Sequence, residues 1–208
     1  KGATGNLLDI GTGTGLLSLL VAQQTECRID AIEIEPTACQ EAAENFKASP
    51  WSNRIRALEG DIRNYQPEHL YEYVISNPPF FEQDLISEDA KRNIALHSSL
   101  FSLEKLISTM DKLLVPGGEW ALLLPPSRRD DAIQFAGKHS WELIKECVIR
   151  NQPDSKPIRH CFLFSKQTAQ VIQTEDTRNG CSSYYNLIIW HLPKGCHMHT
   201  RSDIDRAG

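Results

Sequence analysis

Several things are scarce in this chain, and each scarcity excludes a class of protein. No apolar run approaches the roughly 18 residues that a membrane-crossing helix needs, and no charged-then-apolar leader opens the sequence. An excess of positive charge is also missing. Against 22 Lys and Arg stand 27 Asp and Glu, a net charge of -5, so a polyanionic partner has to be met by a local basic patch. Cys27, Cys39, Cys147, Cys161, Cys181 and Cys196 never pair at short spacing, which favours buried, reduced thiols over a disulfide framework. Internal repeats and low-complexity tracts are absent. What remains is 208 residues, 24% charged and 40% hydrophobic, enough for one globular domain that buries its own core. The expectation is a soluble cytoplasmic monomer with no membrane contact and no metal.

Hydrophobic patterning predicts strands alternating with helices. Asn6 to Ile10 is a short apolar run ending at glycines, hence a buried strand, and Leu16 to Gln24 is a helix. Arg28 to Ile34 is the second strand; Pro36 then suits the first turn of a helix reaching about Ala48. Ile55 to Glu59 and Tyr73 to Ser76 follow as strands, and Trp120 to Leu124 as a fifth. Leu103, Leu106, Ile107, Met110 and Leu114 recur at helical spacing within Leu100 to Leu114, a helix that Pro116-Gly117-Gly118 should end. Ser127 should cap a helix running from Arg128 to about Lys138. Trp141 to Arg150 and Arg159 to Lys166 read as a hairpin around Asn151 to Pro157, so the sheet should finish antiparallel. Alternation of this kind implies βαβ units and a mostly parallel, Rossmann-like sheet of seven strands with helices on both faces. Phe81 to Ser99 is long, polar and irregular, as functional or mobile loops are.

Two motifs carry chemistry. Asp9-Ile10-Gly11-Thr12-Gly13-Thr14-Gly15 places three glycines where a backbone must turn sharply and approach a ligand. The G-x-G-x-G spacing differs from the G-x-G-x-x-G of dinucleotide binders, which seat a pyrophosphate. Asp9 is expected to receive a cofactor amino group. Glu33, at the second strand's end, should accept both ribose hydroxyls, with Ile34 beside it. Asp61 and the Ile62 N–H are candidates for an adenine edge, although Asp61 serves equally well in a turn.

The second motif, Asn77-Pro78-Pro79-Phe80, proposes a reaction. An amine conjugated to a ring or carbonyl is a poor nucleophile because its lone pair is delocalised. Accepting its two protons at the Asn77 side-chain oxygen and the Pro78 carbonyl steers that lone pair toward an electrophilic methyl. The prolines hold the backbone in place, and Phe80 offers a face for stacking. Asn77, Pro78 and Phe80 are thus the expected catalytic residues, with Phe81, Arg92 and His97 lining the substrate pocket.

Leu8 to Gly15, Ala31 to Glu35, Gly60-Asp61-Ile62 and Ser76 to Phe81 resemble class I amino-methyltransferases. More narrowly, Arg92 to His97 with Leu100, and Asn151-Gln152-Pro153 leading to Pro157-Ile158-Arg159, are similar to the bacterial tRNA1(Val) adenine-37 N6-methyltransferase family. The resemblance covers roughly residues 6 to 166. It implies S-adenosylmethionine as cofactor and an adenine amino group in tRNA as acceptor. It also implies that a segment preceding the glycine loop in the family is missing. Only eight residues precede Asp9, and 195–208 is polar and aperiodic, so a fragment with a methyltransferase domain over 1–175 and an atypical or frayed tail over 176–208 is expected.

Rival readings stay open on the residues alone. The Asn-Pro-Pro-aromatic pattern also serves methylation of a glutamine side-chain amide in a translation release factor. An NAD-dependent oxidoreductase shares the acidic residue at 33, and a cofactor- or RNA-binding module without turnover is the non-enzymatic alternative. Arg128, Arg129, Arg150, Lys156, Arg159, Lys91 and Arg92 could form a phosphate-contacting rim or be scattered surface charge. Cys196-His197-Met198-His199 lacks a further spaced ligand for a metal.

Overall fold

The computed structural model describes residues 3–78, 103–152 and 155–166, together with the backbone of 173–176. Among the described residues eight strands form one sheet: β1 (Asn6–Ile10), β2 (Arg28–Glu33), β3 (Ile55–Glu59), β4 (Tyr71–Ser76), β5 (Leu114–Leu124), β6 (Glu142–Arg150), β7 (Pro157–Ser165) and β8 (Gln173–Asp176). Four helices cover it: α1 (Leu16–Gln24), α2 (Pro36–Ala48), α3 (Leu103–Leu113) and α4 (Arg129–Lys138). The strand order is β3-β2-β1-β4-β5-β7-β6-β8. Pairings from β3 through β5 are parallel, and β7 is antiparallel to both β5 and β6. The seven expected strands and their final hairpin are present. Beyond them β8, not expected from the sequence, adds parallel to β6.

Alternate residues along each strand feed two cores, as the period of two requires. Leu7, Ile29, Ile75, Ala121 and Leu163 pack with Leu17 and Val21 of α1 and Ala42 and Phe46 of α2. On the other face Leu8, Ile32, Val74, Trp120, Leu122 and Phe164 meet α3 and α4. α3 buries Leu103, Leu106, Ile107, Met110 and Leu113, one stripe of its surface. Asp30 is also on this second face. It accepts from Arg56 Nε at 2.6 Å and from the Tyr71 hydroxyl at 2.7 Å.

Two local expectations are corrected. Pro116-Gly117-Gly118 does not separate α3 from the next strand. Tyr71 pairs with Leu114 and Tyr73 with Glu119, so the three residues loop out inside β5 as a bulge. Ser127 is not a helix cap: Pro126–Arg128 is a 3-10 turn, and α4 starts at Arg129 with no side-chain cap bond.

Candidate active site

The sheet's parallel connections leave in opposite directions between β1 and β4, the crevice where open α/β sheets bind ligands. The glycine loop leaves β1 there and crosses the end of β2. Gly11 and Thr12 both donate to the Ile32 carbonyl, at 2.9 and 3.2 Å. Gly15 then opens α1 at φ 87°, a left-handed conformation. A side chain at Gly15 would lie 2.4 Å from the Phe46 ring, so α2 is packed directly behind the loop. Asn45 of α2 also donates to the Thr14 carbonyl at 2.9 Å. Sequence reasoning missed Asn45 and Phe46. Their only signal is a helical position, whereas their contact depends on how α2 docks.

Around Gly11 and Gly13 the opposite holds, since an added Cβ would meet nothing within 4 Å. That open space is bounded by groups suited to a cofactor with an ammonium, a ribose and an adenine. Asp9 is buried, with Oδ2 accepting the hydroxyls of Thr12 and Ser18, each at 2.7 Å. Its Oδ1 has no partner among the described residues. Burial pushes the Asp9 carboxyl up to about 6, against the lowering effect of the Ser18 and Thr12 hydrogen bonds. A cation brought to Oδ1 would relieve that cost. Ile34 is 50% exposed, an apolar side chain left uncovered next to Glu33.

Glu33 is more heavily engaged than its expected role requires. Oε2 accepts the Gly13 N–H at 2.8 Å, and Oε1 accepts those of Ile34 and Glu35 at 2.9 and 3.1 Å. Asp61 is likewise taken up locally. Its Oδ1 accepts the Arg63 backbone N–H at 2.9 Å and Nε at 2.8 Å, and the Arg63 guanidinium holds its carboxyl below the usual range. Ile62 beside it is buried.

Asn77 follows the last residue of β4 and is exposed, while Pro78 is buried. Ser76 pairs with Ile10, and its hydroxyl donates to the Ile10 carbonyl at 2.9 Å. Asn77 therefore leaves β4 beside the point where Gly11 leaves β1. The structure thus gathers Asp9, Gly11, Gly13, Gly15, Glu33, Ile34 and Asn77 at one edge of the sheet. Asp61 and Ile62 follow β3 at the same edge. Pro79, Phe80, Phe81, Arg92 and His97 lie outside the described residues, as do Lys91 and the 196–199 cluster.

Of the basic residues weighed as a phosphate-contacting rim, Arg128 and Arg129 are paired with acids. Arg128 pairs with Asp131 at 3.1 Å, and Arg129 grips the buried Glu146. Arg150 donates to the Ser155 carbonyl and Arg159 to that of Ile158, while Lys156 is exposed. Among the described residues no group of three or more His, Cys, Asp or Glu could hold a metal ion. No helix among them is long and apolar enough to cross a membrane.

Comparison with known proteins agrees with this arrangement. Residues 1–127 match the family model described as the methyltransferase small domain. A protein of Dyadobacter fermentans named tRNA1(Val) (adenine(37)-N6)-methyltransferase is 38% identical over 161 residues, covering 77% of this chain and 67% of its own length. A Bacteroides fragilis protein of the same name is 34% identical over 190 residues, covering 88% of this chain and 80% of its own. Among solved structures, a predicted O-methyltransferase of Agrobacterium tumefaciens superposes with a TM-score of 0.67 at 17% identity, over 88% of this chain and 85% of that one. The fold is that of the class I methyltransferases, whose cofactor is S-adenosylmethionine. With its glycine loop and Asn77 facing one crevice, the chain belongs to the methyltransferase small domain family, alongside proteins named tRNA1(Val) (adenine(37)-N6)-methyltransferase.

Proposed function

We propose that this protein transfers a methyl group from S-adenosylmethionine to the exocyclic N6 of an adenine in tRNA. The observation that carries the reading is Asn77, exposed at the end of β4 and beside Gly11, so that an amine held there faces the space above the glycine loop. The names of the relatives support a nucleobase acceptor over a glutamine amide.

Each residue then has a part. Asp9 receives the cofactor's amino group, the glycines admit its backbone-hugging portion, and Glu33 accepts ribose hydroxyls. Ile34 packs on the adenine, whose edge meets Asp61 and the Ile62 N–H. When bound, the cofactor supplies a methyl group on a sulfonium. The Asn77 oxygen and the Pro78 carbonyl accept the target amine's protons and stabilise the positive charge that grows on nitrogen. Phe80 stacks on the target base after it swings out of its own stack, with Phe81, Arg92 and His97 around it.

The test is single-turnover methyl transfer to unmodified tRNA, with cofactor affinity measured alongside. Asn77→Ala should abolish transfer and leave affinity within a few-fold. Phe80→Ala should chiefly weaken base capture, by about 1–3 kcal/mol. Near-normal turnover in Asn77→Ala would reduce the Asn-Pro-Pro segment to a turn. Transfer to a glutamine-bearing release-factor fragment and not to tRNA would move the reading to the protein substrate.

A further inference from the structure

Three residues that take no part in the site above form a polar cluster around the buried Glu146. Both Glu146 oxygens accept from Arg129, Oε1 from Nε and Oε2 from Nη2, each at 2.8 Å. Oε1 also lies 2.7 Å from Nδ1 of His160. Burial alone would raise the Glu146 carboxyl, but the Arg129 and His160 hydrogen bonds outweigh it and hold the group below the usual range. An ionised carboxylate only accepts, so Nδ1 of His160 carries the proton. The imidazole is further fixed by stacking on Phe162, with centroids 5.9 Å apart and planes 12° from parallel. Glu146 and His160 are 3% and 6% exposed, whereas the Arg129 side chain is 40% exposed and reaches them from the surface.

Register shows where this cluster acts. Ser76 pairs with Leu122, Leu122 with Phe162, and Phe162 with Glu146, one line across four strands. His160 is one step nearer the site, opposite Leu124, the last residue of β5. From Leu124 the chain runs through Pro125 and the 3-10 turn Pro126–Arg128 into α4, whose first residue is Arg129. That turn stands one strand beyond the point where Asn77 leaves β4.

The other restraints on the turn are short-range: Arg128 pairs with Asp131 at 3.1 Å, and Phe135 of α4 packs partly buried on the core. The buried residues of α4 are Ala132 and Ala136, which remove little apolar area from water, and its N-terminus lacks a side-chain cap. We propose that Glu146 is a positioning residue. Through Arg129 and His160 it fixes the Pro125–Arg128 turn as the far wall of the amine pocket, and so sets where the target base can sit beside Asn77. This rests on the reaction proposed above, but its structural half is testable without substrate.

The experiment compares wild type with Glu146→Gln and His160→Asn. Gln keeps the shape and loses the charge; Asn keeps a donor near the position of Nδ1. Amide hydrogen exchange at Arg128, whose N–H bonds the Pro125 carbonyl at 3.0 Å, reads the wall directly. Exchange there should quicken in Glu146→Gln while Leu8 to Ile10 stay protected. Single-turnover transfer to tRNA should fall about ten- to a hundred-fold, as a misplacement of about 1 Å can cause. Cofactor affinity should stay within about two-fold, since no cofactor contact changes. His160→Asn should lie between the two, and it carries the test if Glu146→Gln does not fold. Unchanged exchange at Arg128 would overturn the proposal, as would equal losses of cofactor affinity and transfer. A wild type that exchanges as expected yet methylates no tRNA would sink the proposed function and leave the wall standing.

Discussion

The Glu33 carboxylate accepts the Gly13 N–H at 2.8 Å, tying the end of β2 to the glycine loop across 20 residues of sequence. With Ile34 and Glu35 also donating, three of the roughly four lone-pair positions of the carboxylate are taken. Two ribose hydroxyls cannot both be added without displacing a backbone donor. The Gly13 bond, the one that joins separate segments, is the one to give way. Glu33 thus latches the glycine loop, and under the proposed function it would exchange that latch for ribose.

Glu33→Gln should therefore be nearly as damaging as Glu33→Ala, because the amide nitrogen would face backbone N–H groups. Both should weaken S-adenosylmethionine binding by about 1–3 kcal/mol, the loss expected of hydrogen bonds to a charged acceptor. Isothermal calorimetry is the check. Unchanged affinity in either variant would remove Glu33 from the site.

Gly15 and Gly13 should fail in different ways when changed to alanine. At Gly15 the new methyl meets the Phe46 ring at 2.4 Å and keeps a φ of 87°, so Gly15→Ala should lose stability, by about 1–3 kcal/mol. Gly13→Ala meets no atom within 4 Å. It bears only the strain of φ 57°, about 1–2 kcal/mol. Its methyl instead enters the ligand's space, so thermal melts should move less than cofactor titrations. Equal effects of the two substitutions on both measurements would count against a ligand above Gly13.

Asp9 makes both stability and binding depend on pH. Burial lifts its folded value to about 6 from 3.8, so its contribution to stability is full below 3.8 and is lost as pH rises through about 6. Asp9→Asn should stabilise the empty protein at about pH 8, by at most about 3 kcal/mol, and change little near pH 4. Binding runs the other way, because a cationic ammonium needs the carboxylate. Affinity for S-adenosylmethionine should fall as pH drops below about 6 in wild type but not in Asp9→Asn. Parallel pH profiles for the two proteins would exclude the contact.

Asp30 should act oppositely in acid. Burial works to raise its carboxyl, yet the Arg56 and Tyr71 hydrogen bonds hold it below its ordinary 3.8. That stability is present above the unfolded value and is lost as pH falls through the folded one. Asp30→Asn should cost about 1–3 kcal/mol at neutral pH. In denaturant titrations the gap from wild type should close in acid; a constant gap would mean the loss is packing alone.

What the sequence disclosed follows from how local each determinant is. β1, α1, α2 and β3 were legible to the residue because glycine, proline and apolar runs mark their ends. The bulge at Pro116 to Gly118 was not, since proline and glycines stop a helix and kink a strand with the same residues. Arg129 stayed open between phosphate contact and surface charge because its partner Glu146 sits 17 positions on and meets it only once β6 has joined the sheet. Asn77 and Glu33 were singled out through motif position. The second set of bonds on Glu33, to Gly13 above all, depends on the folded loop and was not foreseeable. Phe80, Phe81, Arg92 and His97 still rest on the sequence alone.

The strand order has a consequence for how the chain is made. β7 lies between β5 and β6, although both precede it in sequence. A ribosome releases β6 before the strand that must separate it from β5, and the two parallel strands could pair prematurely if Leu122 and Glu146 came to face each other. The sheet can therefore close only after β7 emerges and takes the place between its two neighbours, so its last central contacts are also the last to be synthesised.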